Sequence, residues 1–453
     1  ANFYLGYVEQ LENHLEDAAV SYSKVLSIEP AHFDALNNLG VVLKDLGRFS
    51  KAKEFLNYAK IVNNNNLSVY NNLGIVNDLR GNFNNAIANF KKAILINPNY
   101  EDALLNYANT LQTTGQYSEA IRVLEKLLSI NQRNVGGNFN KSLTLLSMGD
   151  YKKGFELYEW RRKRSDFQIR NFSKPELTNQ TIEGKTILVY DEQGLGDTIQ
   201  FCRYVKLLSK KNARVILQCH SALFDLLKGC DGVDTVIVRE TLNDASIQYD
   251  YHIPLLSLPR YFGTGINTIP TKIPYINVSG AMVSSFYERY FNNQKINVGI
   301  VWEGKTPIGN AHRACSLDSF ISLIGDEKFK FFSLQKGNAA IRDKQKMGMY
   351  GIVDLSSELK TFNETAAIIK NLDLVITIDT SVSHLSGALG AKTYTLLSYK
   401  SDWRWLNGDN YSVWYPMMRL IKQSEYGDWK NVFKEIKNLL KNKKLISLLW
   451  FCS

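Results

Sequence analysis

Small residues return every 34 positions through the first third of this chain, and that spacing constrains its fold more than any other feature. Gly6, Gly40, Gly74 and Ala108 share one register, and Ala18, Ala52, Ala86 and Ala120 share a second. Gly47, Gly81, Gly115 and Gly149 share a third, each followed two positions later by an aromatic residue (Phe49, Phe83, Tyr117, Tyr151), while Pro30 and Pro98 close two of the units. A unit of this length is one helix–turn–helix that cannot bury its apolar face alone, so neighbours must stack into a solenoid. The small residue lets paired helices approach, the second glycine turns the chain between them, and the aromatic fills the space beside the next unit. Five units follow from this spacing, the first truncated and the fifth degraded.

The period and pattern match the tetratricopeptide repeat (TPR), and they predict an all-α TPR solenoid over residues 1–165. In the first helix of successive units Asn38, Asn72, Asn106 and Asn140 hold one register. Such a row can line the concave face, where amide groups hydrogen-bond the backbone of an acceptor peptide without reading its sequence. It reads equally as a residue common at that repeat position.

After Tyr151 the repeat decays through Tyr158-Glu-Trp-Arg-Arg-Lys-Arg into a polar junction, residues 166–183, and the period changes. Short β-branched runs appear at Thr186–Tyr190, Arg214–Gln218, Thr235–Val238, Asn297–Trp302, Phe329–Leu334, Leu374–Ile378 and Thr393–Leu397, with helical stretches between most of them. Strand alternating with helix predicts parallel sheets covered on both faces. The stretch Pro259–Gln294 divides the strands into two sets. The expected architecture is therefore α/β with two Rossmann-like lobes, 184–280 and 295–430, followed by a basic C-terminal helix and tail over 431–453.

Composition narrows the class. A chain of 453 residues with 45% hydrophobic and 22% charged content has room for two or three cores. No apolar run approaches the roughly 20 residues of a membrane helix, and the tail Leu445–Cys452 reads as docked or frayed. The chain opens at Ala1 inside a repeat, so any leader would lie upstream. The five cysteines are scattered with no metal spacing, as are the six histidines, which fits reduced thiols and a cytoplasmic setting. The net charge of +10 concentrates in 158–170 and 430–444, which read as a solvated linker and a solvated helix. Basic residues interleaved with exposed aromatics on one face, the mark of a nucleic-acid binder, are not found.

Two constellations carry chemistry. The first strand runs into Asp191-Glu-Gln-Gly-Leu-Gly-Asp197, where Gly194 and Gly196 let backbone N–H groups approach an anion at a helix start, and Asp197 stands at the sheet edge where α/β ligands bind. Ile199 breaks the dinucleotide fingerprint, which needs a third glycine there. The second is Asp379-Thr-Ser-Val-Ser-His384: an apolar strand ends at Asp379, and Thr380, Ser381, Ser383 and His384 open the next helix, a setting suited to a diphosphate. Ordinary capping is the plain alternative for either segment.

Residues 184–430 resemble the glycosyltransferase domain that follows TPRs in many bacterial proteins and, more distantly, the heptosyltransferase group, glycosyltransferase family 9. The matching segments are Glu192–Phe201 with Arg203-Tyr204, Val298–Gly304, Ser333–Gly337, Asp379–Gly390, and Asp402–Leu406 with Trp414–Leu420. The resemblance implies a GT-B fold and inverting sugar transfer from a nucleotide-sugar co-substrate, with no metal and no other cofactor. It implies Asp197 as general base and a donor site built from Gly194, Gly196, Lys305, Arg313, Gln335, Asp379, Thr380, Ser381, Ser383 and His384. The absence of any Asp-x-Asp pair agrees. One run departs from the family: Cys315 stands where a second arginine is expected and His312 where an aspartate is, so a cation that could hold phosphate is missing, and the readings are that Lys305 compensates, that the donor differs or that activity is lost. A solenoid fused to a transferase implies a protein or peptide acceptor, flagellin being one such role among bacterial relatives. The alternatives are a degenerate TPR scaffold and a transferase for a lipopolysaccharide or polysaccharide acceptor.

Overall fold

The computed structural model describes residues 1–239, 247–304, 313–406, 408 and 410–442. It divides into two compact units, Ala1–Met148 with Leu157–Phe167, and Gly149–Glu156 with Gln168–Ser453.

The first unit is a run of antiparallel helix pairs: Asn2–Leu11 with Leu15–Ile28, Phe33–Asp45 with Phe49–Val62, Leu67–Leu79 with Phe83–Ile96, and Glu101–Thr113 with Tyr117–Ile130, followed by Val135–Ser147. Gly47, Gly81 and Gly115 take φ near +75° at the turns inside the second, third and fourth pairs. There a glycine meets no steric penalty, and the N–H of Arg48 closes on the carbonyl of Leu43. Gly40 faces Leu56 and Gly74 faces the Phe90 ring so closely that an added Cβ would lie 2.6 and 2.4 Å from them. In the next unit Ala108 packs with Leu124, and the extra methyl is accommodated. Within this unit Arg161 departs from the solvated-linker expectation: its guanidinium is buried and bonded to the Tyr158 carbonyl and to Glu159 Oε1 at 2.7 Å.

The second unit holds two parallel sheets. The strands are β1 (Thr186–Tyr190), β2 (Arg214–Cys219), β3 (Thr235–Val238), β4 (Tyr251–Pro254), β5 (Ile296–Val301), β6 (Phe329–Ser333), β7 (Val353–Asp354), β8 (Leu374–Ile378), β9 (Thr393–Leu397) and β10 (Met418–Lys422). The first lobe has the order β3-β2-β1-β4 and the second β10-β9-β8-β5-β6-β7. β5 and β8 are mostly apolar and are buried along their whole length, as central strands covered on both faces must be. The helix Trp429–Lys441 presents Val432, Phe433, Ile436 and Leu440 to this core and leaves its lysines to solvent. The polar junction is partly structural: Pro175 and Leu177 exchange backbone hydrogen bonds with His252 beside β4.

Both lobes belong to one compact unit, and their seam is narrow and polar at its centre. Gly196, in the helix Leu195–Phe201, faces His384 in the helix Ser381–Ala388; a Cβ on Gly196 would stand 2.9 Å from the imidazole. Arg203 of the first lobe is buried, donates to the carbonyls of Trp414 and Pro270 and to the Tyr275 hydroxyl, and lies over the rings of Tyr275 and Tyr415. Arg404 of the second lobe crosses the other way, to Gln200 at 2.7 Å and Asp197 at 2.6 Å. His384 stacks on Trp405, and its Nδ1 lies 3.0 Å from the Tyr415 hydroxyl. Burial, then the nearby Arg404, push its imidazole down to about 3, against the opposing pull of Asp402.

Two outcomes follow for stability. Gly74→Val forces the Phe90 ring aside and lowers stability by about 1–3 kcal/mol, whereas Gly74→Ala combined with Phe90→Leu rebuilds the Ala108–Leu124 arrangement and recovers most of the loss; urea melts of the full chain measure both. His384 is neutral when folded but gains a proton in the unfolded chain below its ordinary value near 6.5, so its contribution is complete above that pH and falls as pH drops toward about 3. Its slope approaches about 1.4 kcal/mol per pH unit. His384→Gln, which cannot take up that proton, flattens the acid side of the stability curve between pH 4 and 6.

Candidate active site

β1 ends at Tyr190 and delivers Asp191, which is buried because its charge is fully partnered. Arg170 and Arg239 pair with its two oxygens at 3.1 and 3.3 Å, and the His220 N–H donates to it at 2.9 Å. The chain then turns through Gln193, at φ +59°, and Gly194 into the helix Leu195–Phe201. Asp197, in the first turn, accepts the Gly194 N–H on Oδ2 at 2.9 Å and the Arg404 guanidinium on Oδ1 at 2.6 Å, with its side chain 21% exposed.

In the second lobe β8 ends at Ile378, and Asp379 opens the loop to the helix Ser381–Ala388. Thr380 sits at the N-cap without a side-chain cap bond, its hydroxyl turned to Thr377, so the helix end keeps its partial positive charge for a ligand. Burial raises the Asp379 carboxyl, against the pull of Arg313. The Arg313 Nε is buried with no hydrogen-bond partner among the described residues. Burial would also raise Asp402, but Arg404 and Arg313 outweigh it and hold that carboxyl below the usual range. Asp402 therefore answers to two cations, Arg313 and the Arg404 that grips Asp197.

A cleft of about 730 Å³ opens between the two sheet edges. Its first-lobe wall includes Asp191, Gln193, Gly194, Gly196, His220 and Arg239, and its second-lobe wall includes Arg313, Gln335, Asp379, Thr380 and Ser381. Seven expected donor-side residues thus meet on one surface. Gln335 is there as a brace as well: its Oε1 accepts the N–H groups of Trp302 and Glu303, and its amide donates back to the Glu303 carbonyl.

Other expectations require correction. Ser383 points into the core, 2.8 Å from Thr395 Oγ1, because it lies on the sheet side of its helix. His384 lies in the interlobe seam under Trp405, not on the cleft wall. Asp197 does not line the cleft either; it stands just behind it on Arg404. Lys305 falls outside the described residues. In the first unit the asparagine row is engaged between repeats: Asn72 donates to Asn37 at 3.0 Å, Asn106 to Asn71 at 3.1 Å, Asn140 to Asn109 at 2.5 Å, and Asn38 to the Tyr22 hydroxyl at 3.3 Å. Each amide keeps further hydrogen-bonding capacity, but its first duty is to tie neighbouring helices.

Sequence reasoning missed Arg404, which lies within the matching segment Asp402–Leu406 but was given no role. A guanidinium inside an aromatic run must find hydrogen-bond acceptors once buried, and that was the available signal. Lys360, Phe362 and Arg239 also line the cleft and carried no motif, and Glu303 and Lys336, though inside matching segments, were given no role.

Comparison with known proteins bears on both units. Tetratricopeptide repeat models match residues 33–59 and 79–135, and the model for glycosyltransferase family 9 (heptosyltransferase) matches residues 329–420. That last match covers β6 through β10 with the Asp379 block and Arg404, and stops short of the Asp197 loop. Protein FlbA of Caulobacter vibrioides is 24% identical over 321 residues, 64% of this chain and 52% of FlbA, so the chain spans about half the length of this curated relative. Among solved structures, a family 9 glycosyl transferase from Veillonella parvula superimposes with a TM-score of 0.46 at 13% identity, over 60% of this chain and 99% of that one. MamA superimposes with a TM-score of 0.32 at 23% identity, over 35% of this chain and 92% of that one. Tetratricopeptide repeats thus lie within residues 33–135 of this chain, and glycosyltransferase family 9 (heptosyltransferase) sequence within residues 329–420.

Proposed function

We propose that the second unit moves a sugar from a nucleoside diphosphate sugar to an acceptor hydroxyl, with inversion and without a metal. The observation that carries this reading is the convergence of Arg313, Asp379 and the open helix end at Thr380–Ser381 on one wall of the cleft, opposite the Gly194–Gly196 turn. A diphosphate leaving group needs charge stabilisation as its bond to the anomeric carbon breaks, and a helix N-terminus beside a guanidinium supplies it. Asp379 is suited to accept hydrogen bonds from sugar hydroxyls. Asp197 then takes the acceptor proton as the hydroxyl oxygen bonds to the anomeric carbon. Gly194 N–H and Arg404 fix its orientation, and its remaining lone pairs are free to receive that proton.

The repeats, in this reading, bring a polypeptide acceptor, flagellin-like in its role, and the protein works in the cytoplasm. A nearly uncharged asparagine row with spare amide capacity supports a backbone-reading groove. One observation favours a second reading, a transferase fold retained as a scaffold: both Asp197 oxygens are already bonded and the carboxylate stands behind the cleft wall.

Three measurements separate these readings. Thermal melts of the full chain with ADP-, GDP-, UDP- and CMP-sugars show a raised Tm for one donor class, because bound ligand stabilises by mass action; no shift with any of them sinks the donor site. The shift is lost in Asp379→Ala and kept in Asp197→Ala, and Arg313→Ala weakens donor affinity about tenfold or more, as loss of a hydrogen bond to a charged group does. Turnover of the donor by nucleotide release falls about 10²- to 10⁴-fold in Asp197→Asn, and Arg404→Gln lowers kcat with little change in donor KM. Unchanged turnover in Asp197→Asn would remove the base assignment.

A further inference from the structure

The boundary between the two units falls inside the last repeat. The first helix of that repeat, Val135–Ser147, belongs to the first unit, whereas Gly149–Glu156, which opens its second helix Tyr151–Tyr158, belongs to the second. Burial of this segment departs from the repeat pattern. Tyr151 holds the register of Phe49 and Tyr117, and Phe155 that of Lys53, Ile87 and Ile121. Those five are half-buried, but Tyr151 and Phe155 are each only 1% exposed. Four positions apart, the two share one face of their helix, and the rings they meet belong to both lobes.

Phe155 stands edge-on to Phe201, 6.5 Å between centroids, and to Trp403 at 5.7 Å. Phe201 is the last residue of the helix that carries Asp197, and Trp403 immediately precedes Arg404. One ring therefore touches the supports at both ends of the Asp197–Arg404 ion pair. Tyr151 packs against the same tryptophan at 6.2 Å and against Trp414 at 5.5 Å, and Arg404 in turn lies over the Trp403 ring at 4.4 Å. Glu156 ties the segment to Arg260 of the first lobe at 2.9 Å. The turn Trp403–Trp405 needs such support. It runs into Leu406 at φ +45°, a conformation that a bulky residue rarely adopts and that surrounding contacts must impose.

We propose that Gly149–Glu156 is a working part of the transferase, with Tyr151 and Phe155 as positioning residues that hold Trp403, and through it Arg404, against Asp197. A carboxylate that takes the acceptor proton must keep one orientation, and a displacement of about 1 Å can cost roughly a hundredfold in rate. The last repeat departs from its pattern because its aromatic face serves the seam between the lobes. This inference rests on the reading of Asp197 as base and extends it to residues that lie before both lobes in the sequence.

Variants of the full chain test it by two independent measurements. The first is nucleotide release from ADP-, GDP-, UDP- and CMP-sugars. Phe155→Ala and Tyr151→Ala lower kcat about 10- to 100-fold while donor KM stays within about twofold, because the wall of Arg313 and Asp379 is untouched. Tyr151→Phe and Phe155→Leu, which keep most of the packing, keep most of the rate. In an Arg404→Gln background Phe155→Ala costs nothing further, since a residue acting through Arg404 has nothing left to position. The second measurement is hydrogen exchange without ligand. In Phe155→Ala the N–H of Arg404, which donates to Asp402 Oδ1 at 3.0 Å, exchanges about tenfold or more faster, while β5 and β8 exchange as in the wild type.

Unchanged kcat in both alanine variants overturns the proposal, as does an equal fall in the wild-type and Arg404→Gln backgrounds. Should the alanine variants fold too poorly to assay, the wild type decides: an Arg404 N–H as protected as those of β8 sustains the proposal, and one that exchanges like a free loop overturns it. Release from none of the donors by the wild type removes the base reading of Asp197; hydrogen exchange then still decides whether Tyr151 and Phe155 hold the Arg404 turn.

Discussion

The second unit depends on how closely two helix starts approach each other. Gly196 and His384 meet with no room for a methyl group, and this contact joins the lobe of the four-stranded sheet to the lobe of the six-stranded one. Two arginines then cross the contact in opposite directions. Burying a guanidinium is costly unless its donors are satisfied, and both are: Arg203 by carbonyls, a tyrosine hydroxyl and ring faces, Arg404 by two carboxylates and an amide oxygen. Breaking either set would leave an unpaired charge in an apolar seam, so the relative position of the lobes is tightly specified.

That seam also determines what each charged residue of the site can do. Asp402 reaches Arg404 directly and feels Arg313, so the group suited to hold phosphate and the group that holds Asp197 share one counter-ion. Neutral His384 adds shape and a hydrogen bond to Tyr415 without adding a further cation. The cleft lining draws its positive charge from Arg313, Arg239, Lys336 and Lys360 together with the helix end at Thr380. The carboxylate of Asp197 stays anchored to a partner from the opposite lobe.

Much of this was legible in the chain itself. The 34-residue spacing gave the helix pairs and their turn glycines because each of those positions answers to a local steric demand. The central strands announced themselves as apolar β-branched runs. The strands that escaped were β4, β7 and β10, all at sheet edges. Edge strands are short or carry charge and proline, here Pro254, Arg419 and Lys422, features that protect an edge from pairing with another chain and also disguise it as loop. The site divided in the same way. Backbone-driven features, the glycine turn and the helix end at Thr380, were readable from spacing. Side-chain direction was not: Ser383 and His384 share a helix turn with Ser381 yet face the core and the seam, and Arg404 lies more than 200 residues from the carboxylate it holds.

The close contacts within the repeats have a consequence for how such a solenoid can change. Tyr22, Leu56, Phe90 and Leu124 hold one register on the second helices and face Gly6, Gly40, Gly74 and Ala108 on the first, with the side chain removed at one partner wherever the other is a ring. The units look interchangeable by period but are matched in volume as pairs. Moving one helix without its mate would set a ring against a methyl group, so duplication or exchange along this chain has to proceed by whole hairpins.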